Sequence, residues 1–505
     1  RKSYSQNQKD KSNMEVILSI DAGTTGVRSI LVDKQGSIVE SAYREFSQYF
    51  PQDGHVEHNP LEIWEAIEDT IAEVIQRFGS QPVAIGITNQ RETIVCWDKK
   101  SSLPQSNALV WQDRRTSKRC TQLLEDGVLP LIRESTGLVL DPYFSATKIE
   151  WLIQNKIELS ESTAFGTIDS WILWKLTDGA VFATDVTNAS RTMLFNIHDL
   201  SWDDNLLELF GVSASNLPEV LPSSGHFGIT KNQSLLNTGI PITGVAGDQQ
   251  ASLFGQTGFA DGDAKNTYGT GSFVLLNTGD SCPDPVDGLL NTIAWSLSKN
   301  GKNSVTYALE GSIFSTGSTV QWLRDGLGII KEASELESLA LQCDSTDGVF
   351  LVPAFTGLGS PWWDPTARGT LIGITRGTGR SEIARAAIES MVFQTRDVVE
   401  SMRKATGRSI RSLKADGGAS VMNMMLQLQA NHLQVNVYRP TSHETTALGA
   451  AYLAGLAHGF WKSLEEIASL WSVEFTAHPR ELTEMDEFAH QKWLLAVRRS
   501  LDWAI

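Results

Sequence analysis

The stretch Asp21-Ala-Gly-Thr-Thr-Gly26 constrains the fold more than any other feature of this chain. It follows the apolar run Val16 to Ile20, which reads as a buried strand, and it leads into a second strand, Val27 to Val32. Asp33 to Gly36 then turns the chain into a third strand. In Rossmann and Walker motifs the glycine turn opens a helix, so a turn joining two strands argues against both. Asn59-Pro60 opens a helix, with Asn as the cap, Pro at the first position and Glu62 three residues after the cap. Trp64, Ile67, Ile71, Val74 and Phe78 share one face of it. Val83 to Ile87 and Thr93 to Trp97 are short strands around Asn89-Gln-Arg-Glu92. Strand, hairpin, helix and strand in this order predict an α/β domain with a mixed sheet.

A chain of 505 residues exceeds one ordinary core, so two domains are expected. The second half repeats the theme. Tyr268-Gly-Thr-Gly271 is a glycine turn leading into the strand Ser272 to Leu276, about half a chain length beyond Gly23-Thr24. Helices are predicted over about 381–404, 421–433 and 444–457, the last rich in small residues and so suited to tight packing. The division is placed at 14–255 and 256–505. Residues 1–13 are polar, lack the apolar segment of a signal peptide, and are expected to be a disordered tail or an expression remnant. A net charge of −17 argues against nucleic acid or an anionic membrane as partner. No apolar run approaches the ~18 residues of a membrane span. Cys96, Cys120, Cys282 and Cys343 show no zinc spacing and no disulfide pattern, which predicts a reducing, cytoplasmic setting.

An acidic chain that binds a nucleotide must attract it locally. Glycine turns do this by letting backbone N–H groups approach phosphates, and Thr24 and Thr25 add hydroxyl donors. Asp21 can hold Mg²⁺ through water, and Arg28 can face the phosphates. Taken alone, an ordinary hairpin turn would look the same. Asp416-Gly-Gly-Ala419 ends a strand before a helix, a place where adenosine or its α-phosphate meets backbone N–H groups; a plain strand–helix turn fits it too. Three such turns in two halves make a nucleotide clamped between domains the simplest reading. Transfer to an alcohol also needs a carboxylate to take the hydroxyl proton. Asp248, after the strand Ile240 to Val245, fits as base, with the cap of a helix over Gln249 to Phe254 as its other reading. Gln249 can bond a hydroxyl. Arg91-Glu92 offers a donor fork beside an acceptor pair, or else an exposed ion pair. Trp111, Tyr143 and Phe273 are either pocket wall or core.

These stretches together resemble the FGGY carbohydrate kinases, and nearest among them the members that phosphorylate glycerol. The resemblance rests on Gly86-Ile-Thr-Asn-Gln-Arg-Glu-Thr93, Val110-Trp-Gln-Asp-Arg-Arg115, Thr136-Gly-Leu through Asp141-Pro-Tyr-Phe-Ser145, Thr187-Asn-Ala-Ser-Arg-Thr-Met-Leu-Phe-Asn196, Ala246-Gly-Asp-Gln-Gln250, Lys265-Asn-Thr-Tyr-Gly-Thr-Gly271, Val352-Pro-Ala-Phe-Thr-Gly-Leu-Gly359 and Thr446-Ala-Leu-Gly-Ala-Ala451. It implies two actin-like, ribonuclease-H-type domains, with mixed sheets flanked by helices, closing a cleft over MgATP. It implies γ-phosphoryl transfer from ATP to glycerol, giving sn-glycerol 3-phosphate and ADP, with Asp248 as base. Glycerol would contact Arg91, Glu92, Trp111, Tyr143, Asp248, Gln249 and Phe273. Asp21 and Asp248 would flank the metal. Thr24, Thr25, Arg28, Gly269, Thr270, Gly317, Gln321, Gly418 and Ala419, with Asn423, would hold the nucleotide. A homodimer or homotetramer is expected by the same resemblance.

Ala22 stands where the family commonly has Gln, and Met422 where an Asn often sits, with Asn423 beside it. Neither the segment Lys231 to Gly239 nor His226 carries a pattern that predicts control by fructose 1,6-bisphosphate or by histidine phosphorylation. The rival readings are a kinase of another polyol or ketosugar, such as erythritol, xylulose or gluconate, and an actin-like ATPase without a small-molecule acceptor.

Overall fold

The structure, a computed structural model, describes residues 14–504, so the tail expected over residues 1–13 lies outside the described residues. Strands β1 (Ile17–Ala22), β2 (Gly26–Val32) and β3 (Ile38–Glu45) form an antiparallel meander. Helix α1 (Pro60–Phe78) follows, with the Asn59 side chain accepting from the Leu61 N–H as its cap. Its five expected apolar residues are buried. Strand β4 (Ala84–Asn89) lies parallel to β1. Strands β5 (Ser224–Ile229) and β6 (Pro241–Gly247) complete the first half, β6 running parallel to β4, and helix α2 (Asp248–Gly255) leaves the end of β6.

The second half opens with another antiparallel hairpin, β7 (Asp263–Tyr268) and β8 (Ser272–Gly279). Strands β9 (Leu290–Lys299) and β10 (Lys302–Ile313) extend it, with β10 beside β8. After helices α3 (Gly317–Gln321) and α4 (Arg380–Thr406), strand β11 (Ser412–Asp416) pairs parallel to β7. Helix α5 (Asn423–Leu433), strand β12 (Val437–Pro440), helix α6 (Thr445–His458), strand β13 (Val473–Ala477) and helix α7 (Glu484–Ser500) follow.

Among the described residues, these thirteen strands form one sheet in the order β3-β2-β1-β4-β6-β5-β9-β10-β8-β7-β11-β12-β13. Within the sheet, the two halves pair through a single residue pair, Ser224 opposite Leu297. Each half repeats one plan: a hairpin, then parallel strands added on the far side of its first strand. The Gly23-Thr24 and Gly269-Thr270 turns therefore occupy equivalent places, and the faint sequence echo is a repeat of topology.

Helix α6 comes from the second half of the chain but packs on β1, β4 and β6 of the first, and on α2. Its small residues permit this. A Cβ on Gly86 would stand 2.2 Å from the Ala450 carbonyl oxygen, and one on Gly449 would stand 1.8 Å from that of Ala251. Backbones touch where side chains are missing, as the run of small residues predicts. Ala447, Leu448, Ala451 and Leu453 join Ile17, Phe254 and Trp295 in an apolar cluster between the halves.

Candidate active site

Strand β6 ends at Gly247, whose extended ψ of 152° makes it the cap of α2. Asp248 is the first helical residue rather than the cap expected from the sequence. Its Oδ1 accepts from the Gln249 N–H at 2.8 Å, and the carboxylate sits at the helix's positive end. The Gly247 N–H donates to the Thr187 hydroxyl at 2.9 Å. A Cβ on Gly247 would lie 2.6 Å from Arg91 Cγ. Glycine at this position is thus what lets Arg91 lie against the base of α2.

Arg91 is 2% exposed and Glu92 1%, so the surface ion pair that the sequence left open is excluded. Arg91 Nη1 and Nη2 both donate to Glu310, at 2.6 and 3.0 Å, and Nη2 also donates to the Tyr143 hydroxyl at 3.1 Å. Arg191 Nε donates to Glu92 Oε1 at 2.7 Å and its Nη2 to Glu310 Oε1 at 3.0 Å. Two guanidiniums and two carboxylates therefore alternate in a buried square. Burial alone would push Glu310 up, but Arg191 and Arg91 outweigh it and hold Glu310 down at about 2. Glu92 moves the other way: burial raises it, and the two arginines only partly offset that. Its backbone is left-handed, φ 62°, a strained setting for a non-glycine residue. The Ser145 hydroxyl holds its carbonyl at 2.8 Å.

Asp248 is the open member of this cluster. Its side chain is 30% exposed and lies 3.4 Å from Arg91 Nε. Burial raises its carboxyl, partly offset by Arg91 and Lys265. Three rings line the same space. Trp111 stands edge-on to Tyr143 at 5.7 Å and to Phe273 at 6.5 Å, and the Arg91 guanidinium lies 5.9 Å from the Phe273 ring centre. The structure thus brings together Arg91, Glu92, Trp111, Tyr143, Asp248, Gln249 and Phe273.

The donor side is built differently. Trp111 Nε1 donates to Thr24 Oγ1 at 2.9 Å, tying the first glycine turn to the aromatic wall. Gln90 and Gln48 hold the turn through the Gly23 and Thr24 carbonyls, both at 2.9 Å. Thr25 Oγ1 lies 3.4 Å from the Tyr43 hydroxyl. Arg28, expected to face phosphates, instead pairs with Glu444 and sits 5.3 Å from the Tyr43 ring centre. In the second turn, Gly269 and Thr270 carbonyls accept from Gly317 and Thr316 N–H groups, each at 2.9 Å, seating the turn on the start of α3, which ends at Gln321. Gly418 and Ala419 lie in a 3₁₀ turn after β11. Asn423 Oδ1 accepts from Arg439 at 3.0 Å, so its oxygen is taken.

Asp21 is the penultimate residue of β1. Burial first, then the charges of Asp248 and Glu444, push its carboxyl up to about 7, with Arg28 pulling weakly back. Two half-buried carboxylates that repel each other fit a cation. No group of three or more His, Cys, Asp or Glu is arranged for a metal among the described residues. The ion that fits would therefore take most of its ligands from water and phosphate, as Mg²⁺ does with nucleotides.

Glu310, Arg191 and Lys265 were not picked out as site residues from the sequence. Glu310 had one signal, a lone charge in the apolar run Tyr307 to Ile313. Arg191 and Lys265 lie within runs that carry the family resemblance, where no role had been assigned to them.

Comparison with known proteins agrees along almost the whole chain. Residues 16–255 match the N-terminal domain of the FGGY family of carbohydrate kinases, and residues 264–458 match its C-terminal domain. Glycerol kinase 2 of Thermotoga maritima is 52% identical over 499 residues, 97% of this chain and 99% of the relative. Glycerol kinase of Bacillus subtilis is 50% identical over 494 residues, 96% of this chain and 99% of the relative. The crystal structure of Plasmodium falciparum glycerol kinase with ADP superposes with a TM-score of 0.91 at 36% identity, covering 97% of this chain and 98% of that one. Gluconate kinase from Lactobacillus acidophilus, at 21% identity and a TM-score of 0.85 over 97% of each chain, shares the fold.

Proposed function

The chain belongs to the FGGY family of carbohydrate kinases, and from that premise we propose that it transfers the γ-phosphoryl group of ATP to a terminal hydroxyl of glycerol, giving sn-glycerol 3-phosphate and ADP. The observation that carries this reading is the position of Asp248. It is the partly exposed carboxylate of a buried charge cluster, at a helix start, beside an aromatic wall that is itself bonded to the first glycine turn.

Arg91, held by Glu310, donates to a substrate hydroxyl. Both arginines engage Glu92 through Oε1, and Oε2 is the oxygen we assign to a second hydroxyl. Trp111 and Phe273 cover the carbon face and shorten the pocket, which favours a three-carbon polyol over a ketosugar. The acceptor oxygen attacks the γ-phosphorus in line, the bond from that phosphorus to the β,γ-bridging oxygen breaks, ADP leaves, and the hydroxyl proton passes to Asp248. No covalent enzyme intermediate forms. Positioning supplies most of the acceleration, and closure of the two halves excludes the water that would otherwise take the phosphoryl group.

Asp21 and Asp248 would hold the Mg²⁺ that accompanies ATP, and bound there the ion neutralises charge on the phosphates. Thr24, Thr25, Gly269, Thr270, Gly317, Gln321, Gly418, Ala419 and Asn423 contact the nucleotide in this reading, and Arg28 acts beside it through Glu444. We place the domain division near residue 255, with α6 reaching back across it. The same reading places a homodimer or homotetramer in the cytoplasm, with the assembly measurable by light scattering.

ADP release measured with glycerol, erythritol, xylulose, gluconate and no acceptor tests the proposal. Glycerol-dependent release is the expected result. Release only with xylulose or gluconate, or release independent of any acceptor, contradicts it.

A further inference from the structure

Lys265 is a fully buried ammonium that the reaction above leaves without a task. It lies on β7, and its Nζ donates to the Gln249 side-chain oxygen and, at 2.9 Å, to the Thr267 hydroxyl. Thr267 Oγ1 is 3.4 Å from Ser252 Oγ, which donates to Asp416 Oδ2 at 3.0 Å. Gln256 and Thr445 donate to the same oxygen at 2.8 and 2.6 Å. A continuous polar chain therefore runs from the acceptor pocket to the foot of the Asp416–Ala419 turn. Asp416 Oδ1 is buried without a hydrogen-bond partner among the described residues.

A side-chain amide can present either its oxygen or its NH₂, and an ammonium can only donate. With Lys265 on the oxygen, the amide is oriented and Gln249 turns its NH₂ away from Lys265, free to donate to a ligand. This matters because Asp248 and Glu92 already supply acceptors in the pocket. Each hydroxyl of a triol both donates and accepts, so the pocket needs a donor besides Arg91.

We propose that Lys265 is a positioning residue for the phosphoryl acceptor: it fixes Gln249 with its NH₂ turned to a substrate hydroxyl and is itself braced by Thr267 and the Asp416 chain. The proposal rests on the contact between Gln249 and glycerol assigned above. The charges of Asp416, Glu310 and Asp248 also act on this lysine, so the test separates positioning of the acceptor from a purely structural role.

The test is a double-mutant cycle on the full-length enzyme. Lys265→Met should raise the glycerol KM by about tenfold or more, the loss of one well-placed hydrogen bond, and leave the ATP KM within about twofold. Gln249→Leu should do the same, and the double variant should be no worse than Gln249→Leu alone. Multiplying effects, or glycerol and ATP KM values rising together, overturn the proposal. If Lys265→Met fails to fold, Thr267→Val replaces it under the same criterion, with a rise of about two- to fivefold expected. A wild-type enzyme that turns over a different acceptor refutes the glycerol reading alone, and the cycle is then run with that acceptor.

Discussion

The proposed acceptor pocket and the proposed nucleotide turns are made of different material. The pocket is side chains: Arg91-Glu92, Arg191 and Glu310 come from three separate segments, are at most 2% exposed, and pair with one another, with Arg191 Nη1 left buried and without a hydrogen-bond partner among the described residues. The turns are backbone: glycines, short loops seated on carbonyls, and an Arg28–Glu444 pair with about a third of each side chain exposed. A small polyol has few handles, so selecting it requires rigid charges already in place before it arrives. A nucleotide brings its own charge, and N–H groups at the right spacing suffice.

The contrast can be broken at its strongest point first. Glu310→Gln leaves Arg91 and Arg191 in the interior with Glu92 as the one remaining carboxylate of the square. The expected cost is about 3–5 kcal/mol, seen as a large drop in the calorimetric melting temperature. The charge of Glu310 persists down to about pH 2. Its folded value is depressed, so its contribution is complete above the ordinary carboxylate range and is lost only as pH falls toward that value. A loss under about 1 kcal/mol would mean that the square does not hold the pocket together.

On the nucleotide side the sensitive positions should be glycines. Gly417 has φ 86°, and a Cβ there would meet the Tyr268 backbone at 2.5 Å. Gly417→Ala should cost about 1–3 kcal/mol and raise the ATP KM more than the glycerol KM. Gly418, with nothing within 4 Å of an added Cβ, is the control, and Gly418→Ala should change stability by less than about 0.5 kcal/mol.

The smallest effect is expected at Arg28. Its pair with Glu444 has about a third of each side chain exposed, so Arg28→Met should cost roughly 0.2–1 kcal/mol of stability and change the ATP KM by less than about fivefold. A loss of a hundredfold or more in ATP affinity would show that Arg28 leaves Glu444 for the phosphates, which would sharpen the contrast rather than preserve it.

Local features were legible in the sequence. The two strand–turn–strand motifs, the Asn59 cap and the small-residue helix over Thr445–His458 all follow from residue types at short spacing. The Asp248 cap missed by one residue because only backbone angles distinguish Gly247 as the last extended residue. What local reading does not supply is pairing across the chain. Glu310 lies 219 positions from Arg91, and nothing at short range states that an isolated Glu in an apolar strand will meet two arginines from the other half. Likewise Arg28 looked free because its partner Glu444 is 416 positions away.

The central claim is that Asp248 takes the proton from a glycerol hydroxyl held by the preformed pocket. Asp248→Asn keeps the shape and removes the base. Glycerol binding by calorimetry should remain measurable, while kcat falls by roughly 10²–10⁴-fold. Turnover near the wild-type rate in that variant would contradict the account.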